Sequence, residues 1–204
     1  MFIILASKSR DRKKLFEKAQ IPVKIFPSNF NEDSIVEEDP YEKVMKIAEG
    51  KAKKVLKLWN KKYRKSSPHS NPVIIAADTM VLLDGELIGK ATNKEEAFRT
   101  LKRLSGKGHQ LITGVCIIEA KSKKKESFYD KSIVYFHNLS DGEIKDYLSK
   151  TDEYRGRAGA YSLGERASLF IERIEGSPTN VLGLPMAKLR KSIKDFDINL
   201  LSYE

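Results

Sequence analysis

A carboxylate within an apolar segment is the first residue whose position suggests chemistry. Asp78 lies in the run VIIAADTMVLL, residues 73–83. Removing an isolated ionised carboxylate from water costs roughly several kcal/mol unless a cation or hydrogen-bond donors compensate it. The segment therefore predicts a partner for Asp78, either a metal ion, a lysine or a reacting water. The alternative is a structural aspartate that is hydrogen-bonded to a neighbouring loop.

Two lysines occupy positions that packing alone does not explain. Lys51 follows Ile47 by four residues and Ala48 by three, which places it within the apolar stripe of a predicted helix. Its ammonium group could instead extend along the helix to reach the surface. Lys90 follows Gly89 at the end of a predicted strand, where a long cation can reach over a cleft. Both lysines are candidate phosphate-binding cations.

The segment SKSRDR, residues 7–12, precedes and begins a predicted helix. Hydroxyl groups, unpaired backbone N–H groups and arginines at a helix start form an arrangement that binds phosphate. Helix capping explains Ser7 and Ser9 but not the arginines. Glu32 lies in a loop, and together with Asp78 it could complete a site of carboxylate oxygens for a divalent cation, although spacing does not show that the two meet. The combined residues point to a nucleotide polyphosphate.

The elements that must position these residues alternate between strands and helices. Apolar periodicity, the Asp84-Gly85 hairpin signal and the Ser140/Glu143 cap predict a mixed α/β fold with antiparallel strand pairs. We expect a single domain over residues 1–204. Predicted strands cover about residues 2–6, 73–83, 86–88, 110–119, 128–137 and 168–174. Predicted helices cover about residues 9–20, 40–63, 94–105 and 185–193, with one more beginning after Ser140.

Composition limits the class of protein and its partners. The formal net charge of +10 and the pI near 9.5 favour polyanionic partners, although lysine-rich runs are often only solvated surface. No apolar stretch approaches the roughly 20 residues of a membrane-spanning helix, so we expect no membrane partner. The single cysteine, Cys116, lies in an apolar run and is expected to be a buried small hydrophobic residue. A reducing cytoplasm fits this cysteine content.

Five segments taken together resemble the Maf family of nucleoside triphosphate pyrophosphatases. They occur in the family's order and cover nearly the whole chain: LASKSRDR (5–12), AADTMVLLDGELIGK (76–90), LSGKGHQLITGV (104–115), RAGAY (157–161) and IEGSPTNVLGLPM (174–186). The resemblance implies a curved mixed β-sheet in two lobes with flanking helices, related to the inosine triphosphate pyrophosphatase fold, with a nucleotide cleft between the lobes.

The same resemblance implies hydrolysis of a nucleoside triphosphate to monophosphate and pyrophosphate, with dTTP, UTP or modified pyrimidine nucleotides as the expected substrates. The implied cofactor is a divalent cation, Mg²⁺ first, with Mn²⁺ or Co²⁺ as alternatives. By position in the motifs, Asp78 corresponds to the catalytic carboxylate that activates water or holds the metal, and Glu32 corresponds to its acidic partner. The residues that correspond to phosphate- and substrate-binding groups are Ser9, Arg12, Lys51 and Lys90.

Departures from the family motifs concern the substrate. Where the family reads S-P-R-R this chain has SRDR (9–12), and where it reads D-K-A-G this chain has GRAG (156–159). The glutamine expected after A-G-x-Y is displaced by Gly164-Glu165, so Glu165 is a candidate for contacting the base unless it points to solvent. The motif A-D-T (77–79) resembles the branch that acts on dTTP and UTP more than the branch that acts on 7-methyl-GTP.

Two other classes of function remain open at this stage. A basic nucleic-acid-binding protein would show affinity for DNA or RNA that falls steeply with salt. The chain contains no recognised nucleic-acid motif, so nucleic acid is not the expected partner. A degenerate family member that regulates division through protein contacts is the other alternative, favoured by the lost arginine. A homodimer is a further partner to test for.

Overall fold

The computed structural model describes residues 1–63, 71–164 and 166–204. Within these ranges it contains seven strands and six α-helices, joined by loops and three short 3₁₀ turns. The strands are β1 (Phe2–Leu5), β2 (Val23–Ile25), β3 (Pro72–Leu83), β4 (Glu86–Ile88), β5 (Gly108–Glu119), β6 (Lys125–Phe136) and β7 (Ile171–Glu175). The helices are α1 (Arg10–Lys18), α2 (Pro40–Tyr63), α3 (Lys94–Leu104), α4 (Asp141–Lys150), α5 (Pro178–Val181) and α6 (Met186–Ser192).

The strands form one mixed sheet in the order β2-β1-β3-β5-β6-β7, with β4 paired to β3. β1 runs parallel to both β2 and β3. The pairs β3–β4 and β6–β7 are antiparallel. This topology confirms the mixed α/β fold with antiparallel pairs that the sequence predicts.

The chain divides into two compact units. The first comprises Met1–Asp78, Thr113–Asp130 and Gly183–Glu204, and the second comprises Thr79–Ile112 and Lys131–Leu182.

Strands β1 and β3 are buried on both faces, as expected for strands whose residues are almost all apolar. Successive side chains of β1 and β3 alternate between two clusters, because the side-chain period of a strand is two. One cluster includes Ile3, Leu5, Val73 and Ile75 with Phe16 of α1 and Leu189 of α6. The other includes Ile4, Ile74 and Ala76 with Ala48, Val55 and Trp59 of α2.

The second unit has its own core. It contains Leu101 of α3 and Ile144 of α4, which pack with Phe136, Tyr161 and Phe170. The aromatic rings of Phe136 and Phe170 lie 4.9 Å apart between centroids in an edge-to-face arrangement, which favours ring packing beyond simple burial.

A glycine of the first unit allows a helix backbone to approach the sheet. A Cβ atom built on Gly114 of β5 would lie 2.4 Å from the backbone carbonyl carbon of Val44 in α2. Backbone atoms cannot move aside as a flexible side chain can, so only glycine fits this position. This contact explains the glycine of the segment LITGV without any role in catalysis.

Most predicted elements are confirmed, with boundaries shifted by a few residues. The predicted strand at 168–174 is wrong at its start, since Arg166–Leu169 forms a 3₁₀ turn and pairing with β6 begins at Ile171. The N–H of Phe170 donates to the carbonyl of Ala167, which keeps the chain turned before the strand begins. The short elements β2 and α5, which are three and four residues long, are absent from the predicted elements, although Ser177 and Pro178 form a helix-start signal for α5.

No helix within residues 1–63, 71–164 and 166–204 combines the length and the apolar character that crossing a bilayer requires. The longest, α2, carries lysines and glutamates along its exposed side.

Candidate active site

Lys51 is the centre of a charged cluster in the first unit. It lies on the apolar side of α2, and only 8% of the residue is exposed. Its Nζ donates to Oδ1 of Asp78 at 2.7 Å and forms an ion pair with Oε1 of Glu32 at 2.7 Å. The alternative in which the ammonium extends to the surface is therefore wrong, because the Lys51 side chain is only 10% exposed and contacts the buried carboxylate of Asp78.

Asp78 supplies the buried carboxylate of this cluster. It lies midway along β3, where the burial of the strand changes from complete at Ala77 to partial at Thr79. The residue is 6% exposed, and the ammonium group of Lys51 offsets part of the free-energy cost of removing its carboxylate from water. The sequence required a partner for Asp78, and the structure identifies Lys51 as one.

Glu32 approaches Lys51 from a different element. It begins the 3₁₀ turn Glu32–Ser34, and its side chain is 37% exposed where that of Asp78 is 8% exposed. The two carboxylates thus differ in their access to water although they contact the same ammonium group. Glu32 is the carboxylate that a ligand arriving from solvent reaches more easily.

Arg12 is held inside the first unit near the same carboxylates. Its Nε donates to the carbonyl of Gly183 at 2.6 Å, and its Nη1 donates to Oγ of Ser7 at 3.3 Å. Burial is the main cause that lowers the pKa of this guanidinium, and the negative charges of Asp78 and Glu32 oppose the shift. The sequence did not identify Gly183 as a partner of Arg12, although both belong to the segments that carry the family resemblance.

Ser9 caps the first helix. It has extended backbone angles, and its hydroxyl accepts a hydrogen bond from the backbone N–H of Arg12 at 3.4 Å. That distance is long for such a bond, so the hydroxyl is held only loosely by the helix. The capping prediction is confirmed, while the substrate-binding role of Ser9 stays a prediction.

Two further predicted site residues are Lys90 and Glu165. Lys90 belongs to the second unit, is exposed, and forms an isolated antiparallel bridge with Ala158. This bridge joins two of the segments that carry the resemblance. Glu165 falls outside the residues that the structure describes. The phosphate-binding role of Lys90 and the base-contacting role of Glu165 stay predictions.

A buried histidine–tyrosine pair in the second unit was not singled out by the sequence. Nε2 of His109 lies 2.9 Å from the hydroxyl of Tyr161, and His109 is 1% exposed. Burial lowers the pKa of His109 to about 4 and raises the pKa of Tyr161. His109 is therefore neutral near pH 7, and the pair serves as a structural link between residues of the LSGKGHQLITGV and RAGAY segments.

The carboxylates of Glu32 and Asp78 fit a hard divalent cation. Among residues 1–63, 71–164 and 166–204, no group of three or more His, Cys, Asp or Glu side chains is arranged to hold a metal ion. Mg²⁺ is commonly bound through one or two carboxylates, with substrate phosphate oxygens and water completing its shell. Glu32 and Asp78, which both contact Lys51, supply two carboxylates and leave the other ligand positions of a cation to phosphate oxygens and water. The residues present therefore fit a cation that binds together with a phosphorylated substrate.

Fold and site together define an α/β protein whose first unit holds a buried lysine–carboxylate cluster. The Maf-like protein family matches residues 2–196, and the chain belongs to that family.

Individual relatives are similar over nearly their whole length. The chain is 39% identical over 202 residues to the dTTP/UTP pyrophosphatase of Caldicellulosiruptor bescii, covering 99% of this chain and 98% of the relative. It is 37% identical over 199 residues to a nucleoside triphosphate pyrophosphatase of a Synechococcus species, covering 97% and 95%. The solved structure of the Staphylococcus aureus Ham1 protein is 13% identical, with a TM-score of 0.47 and coverage of 97% of this chain and 100% of that chain.

Proposed function

We propose that this protein hydrolyses nucleoside triphosphates to a nucleoside monophosphate and pyrophosphate, with dTTP and UTP as preferred substrates. The observation that carries the proposal is the contact of Lys51 with both Asp78 and Glu32 inside the first unit. Membership of the Maf-like family and the activities named for its relatives support the reaction class.

Asp78 is the catalytic carboxylate in this proposal. Its carboxylate accepts a proton from the water that attacks the α-phosphorus of the nucleotide. Its burial and its contact with Lys51 hold the carboxylate in the orientation that this transfer requires. Lys51 donates to Oδ1 of Asp78 and so fixes one oxygen of that carboxylate in place. A divalent cation held by Glu32 and Asp78 would neutralise phosphate oxygens and lower the pKa of a bound water.

Basic groups bind the phosphates. Arg12 adds a positive charge near Asp78 and Glu32, and a guanidinium group offers donors in a planar fork that matches phosphate oxygens. Lys90 binds the leaving pyrophosphate, whose negative charge increases as the bond between the α- and β-phosphates breaks. The hydroxyl of Ser9 donates to a phosphate oxygen at the start of α1.

Base selection rests on the sequence alone. An ionised glutamate offers only acceptors, whereas the glutamine usual in the family offers a donor and an acceptor, so Glu165 would favour a base that presents N–H groups. The comparison is kcat/KM for UTP, dTTP, CTP, GTP and 7-methyl-GTP in the native protein and in Glu165→Gln. If all values change by one common factor or not at all, Glu165 has no part in base selection.

The products and the cation test the proposal directly. With Mg²⁺ and each nucleotide, phosphorus NMR should show nucleoside monophosphate and pyrophosphate appearing together, and Asp78→Asn should be the inactive reference. Orthophosphate and nucleoside diphosphate as the initial products would contradict the proposed cleavage. Removing divalent cations with a chelator should stop turnover, and adding back Mg²⁺, Mn²⁺ or Co²⁺ separately identifies the preferred ion.

The same assay separates the other classes of function. No turnover of any nucleotide would favour a regulator that acts by protein contacts. Salt-dependent binding to DNA or RNA without turnover would favour a nucleic-acid-binding protein.

A further inference from the structure

Gly50 is an unexpected residue in the middle of α2. Inside a helix, glycine is less favourable than alanine because it loses more conformational freedom on folding. Gly50 directly precedes Lys51, and α2 extends ten residues before it and thirteen after it, from Pro40 to Tyr63. A glycine at this position therefore needs a structural reason.

The reason is the aromatic ring of Phe30. A Cβ atom built on Gly50 would lie 2.4, 2.7 and 2.8 Å from three carbon atoms of that ring, closer than non-bonded carbon atoms approach. The ring therefore lies directly on the helix backbone in the space that any other side chain would fill. Phe30 is only partly exposed, so this contact removes much of the ring from water.

The turn that carries Phe30 is fixed by several polar contacts. The backbone N–H of Phe30 donates to Oγ of the buried Ser28 at 3.3 Å. Asn29 has a φ of 47°, a left-handed conformation that asparagine tolerates better than most residues. Nζ of Lys54, one helical turn after Gly50, donates to the carbonyl of Asn29. These contacts set the direction in which Phe30 leaves the turn.

The Phe30–Gly50 contact and the Glu32–Lys51 ion pair join the same two segments of the chain at nearly the same positions. Phe30 lies two residues before Glu32, and Gly50 lies one residue before Lys51. The 3₁₀ turn that begins at Glu32 has no side-chain cap, so its own hydrogen bonds do little to place it on α2. The packing of the ring on Gly50 is thus an apolar contact within two residues of each member of the Glu32–Lys51 ion pair.

We propose that Phe30 and Gly50 are a positioning pair that sets Glu32 against Lys51. The proposal rests on the role that the proposed function gives to Glu32. Gly50→Ala should displace the ring and with it Glu32, while the helix itself gains a more favourable residue.

The experiment compares the native protein, Gly50→Ala, Phe30→Ala and the double variant. Gly142→Ala is the matched control, because Gly142 lies in α4 and a Cβ there would meet only Oγ of Ser140, at 3.8 Å. We expect Gly50→Ala to lower kcat about 100-fold, as a displacement of roughly 1 Å can do. In the Phe30→Ala background the same change should have no further effect, and Gly142→Ala should retain native kcat. The proposal is overturned if Gly50→Ala retains native kcat. It is also overturned if the loss of kcat in the double variant equals the product of the losses in the two single variants.

A second readout needs neither metal nor nucleotide. Glu32→Gln should lower the stability to urea of the native protein but not of Gly50→Ala, because the ion pair with Lys51 is already lost there. Equal losses in both backgrounds overturn the positioning role. If this coupling is present but Glu32→Gln retains native kcat, the positioning role holds and the role of Glu32 in the proposed reaction is wrong.

Discussion

Nζ of Lys51 and Oδ1 of Asp78 lie 2.7 Å apart inside the first unit, and their side chains are 10% and 8% exposed. The two residues are 27 positions apart in the sequence and come from a helix and a strand. Each charge makes the burial of the other tolerable, and neither would be stable at its position alone. This mutual dependence allows both residues to be tested.

Asp78→Asn should remove activity and leave the fold intact. The amide keeps the volume of the side chain but can neither accept the proton of a water nor neutralise a cation, so kcat should fall by about 10²- to 10⁴-fold. Asp33→Asn is the control, because Asp33 is an exposed carboxylate in the same unit. Circular dichroism and steady-state kinetics on both variants provide the measurement. Near-native turnover in Asp78→Asn would make Asp78 a structural residue.

Lys51→Met should destabilise the protein. Breaking a buried ion pair by removing one partner leaves the other charge uncompensated, and we expect a loss of about 3 kcal/mol in the free energy of unfolding because one of the two carboxylates is partly exposed. Lys53→Met is the control, since the side chain of Lys53 is 63% exposed in its ion pair with Glu49. Urea unfolding measures both losses.

Mg²⁺ should stabilise Lys51→Met more than it stabilises the native protein. Without the ammonium group, Asp78 and Glu32 lack a shared cation, and a divalent ion that binds the folded state shifts the unfolding equilibrium. The midpoint of thermal unfolding, recorded with and without Mg²⁺, checks this expectation. An equal shift in both proteins would argue against a cation site at these carboxylates.

Variants of Ser9 can separate helix capping from substrate binding. Replacing a capping serine by alanine costs about 1 kcal/mol, whereas glycine at that position costs only about a few tenths. Ser9→Gly should therefore keep most of the native stability but lose the hydroxyl group. If the hydroxyl contacts phosphate, KM should rise in both variants. A KM at the native value in Ser9→Gly would leave Ser9 with its capping role alone.

The stability of the protein should decrease as the solution becomes acidic, in part because of His109. Burial lowers the pKa of His109 from 6.5, its value in the unfolded chain, to about 4 in the folded protein. The unfolded chain therefore binds a proton more readily at this residue. Its contribution is complete above pH 6.5 and is lost as pH falls toward 4. The full difference corresponds to about 3 kcal/mol. Urea unfolding from pH 4 to 7 should show a smaller pH dependence in His109→Gln than in the native protein.

Cys116 should resist thiol reagents in the folded protein. It is fully buried, and burial raises the pKa of its thiol to about 11, so little of the reactive thiolate is present near pH 7. A colorimetric disulfide reagent should react slowly with the native protein and rapidly with one thiol per chain in guanidinium. Cys116→Ser supplies the zero-thiol reference. Rapid labelling of the folded protein would contradict this expectation.

The sequence by itself determined the mixed α/β class, most helices and strands to within a few residues, and the need for a partner at Asp78. Local signals suffice for these features, because apolar periodicity, caps and turn residues act over a few neighbouring positions. The predicted α2 matches the structure from Pro40 to Tyr63, and the capping box at Ser140 is present as expected. The resemblance to the Maf family was also visible in the order of the five segments.

Only the tertiary structure decided which residues meet. The contacts of Lys51 with Asp78 and of Arg12 with Gly183 join positions that are 27 and 171 residues apart, and spacing in the sequence carries no information about such distances. The ring of Phe30 on Gly50 was equally invisible, because a helical glycine has several explanations until its neighbour is known. Side-chain identity sets which interactions are chemically available, and packing selects the ones that form. A buried charge is tolerated only beside a compensating group, and a space beside a buried backbone only where a neighbouring side chain occupies it.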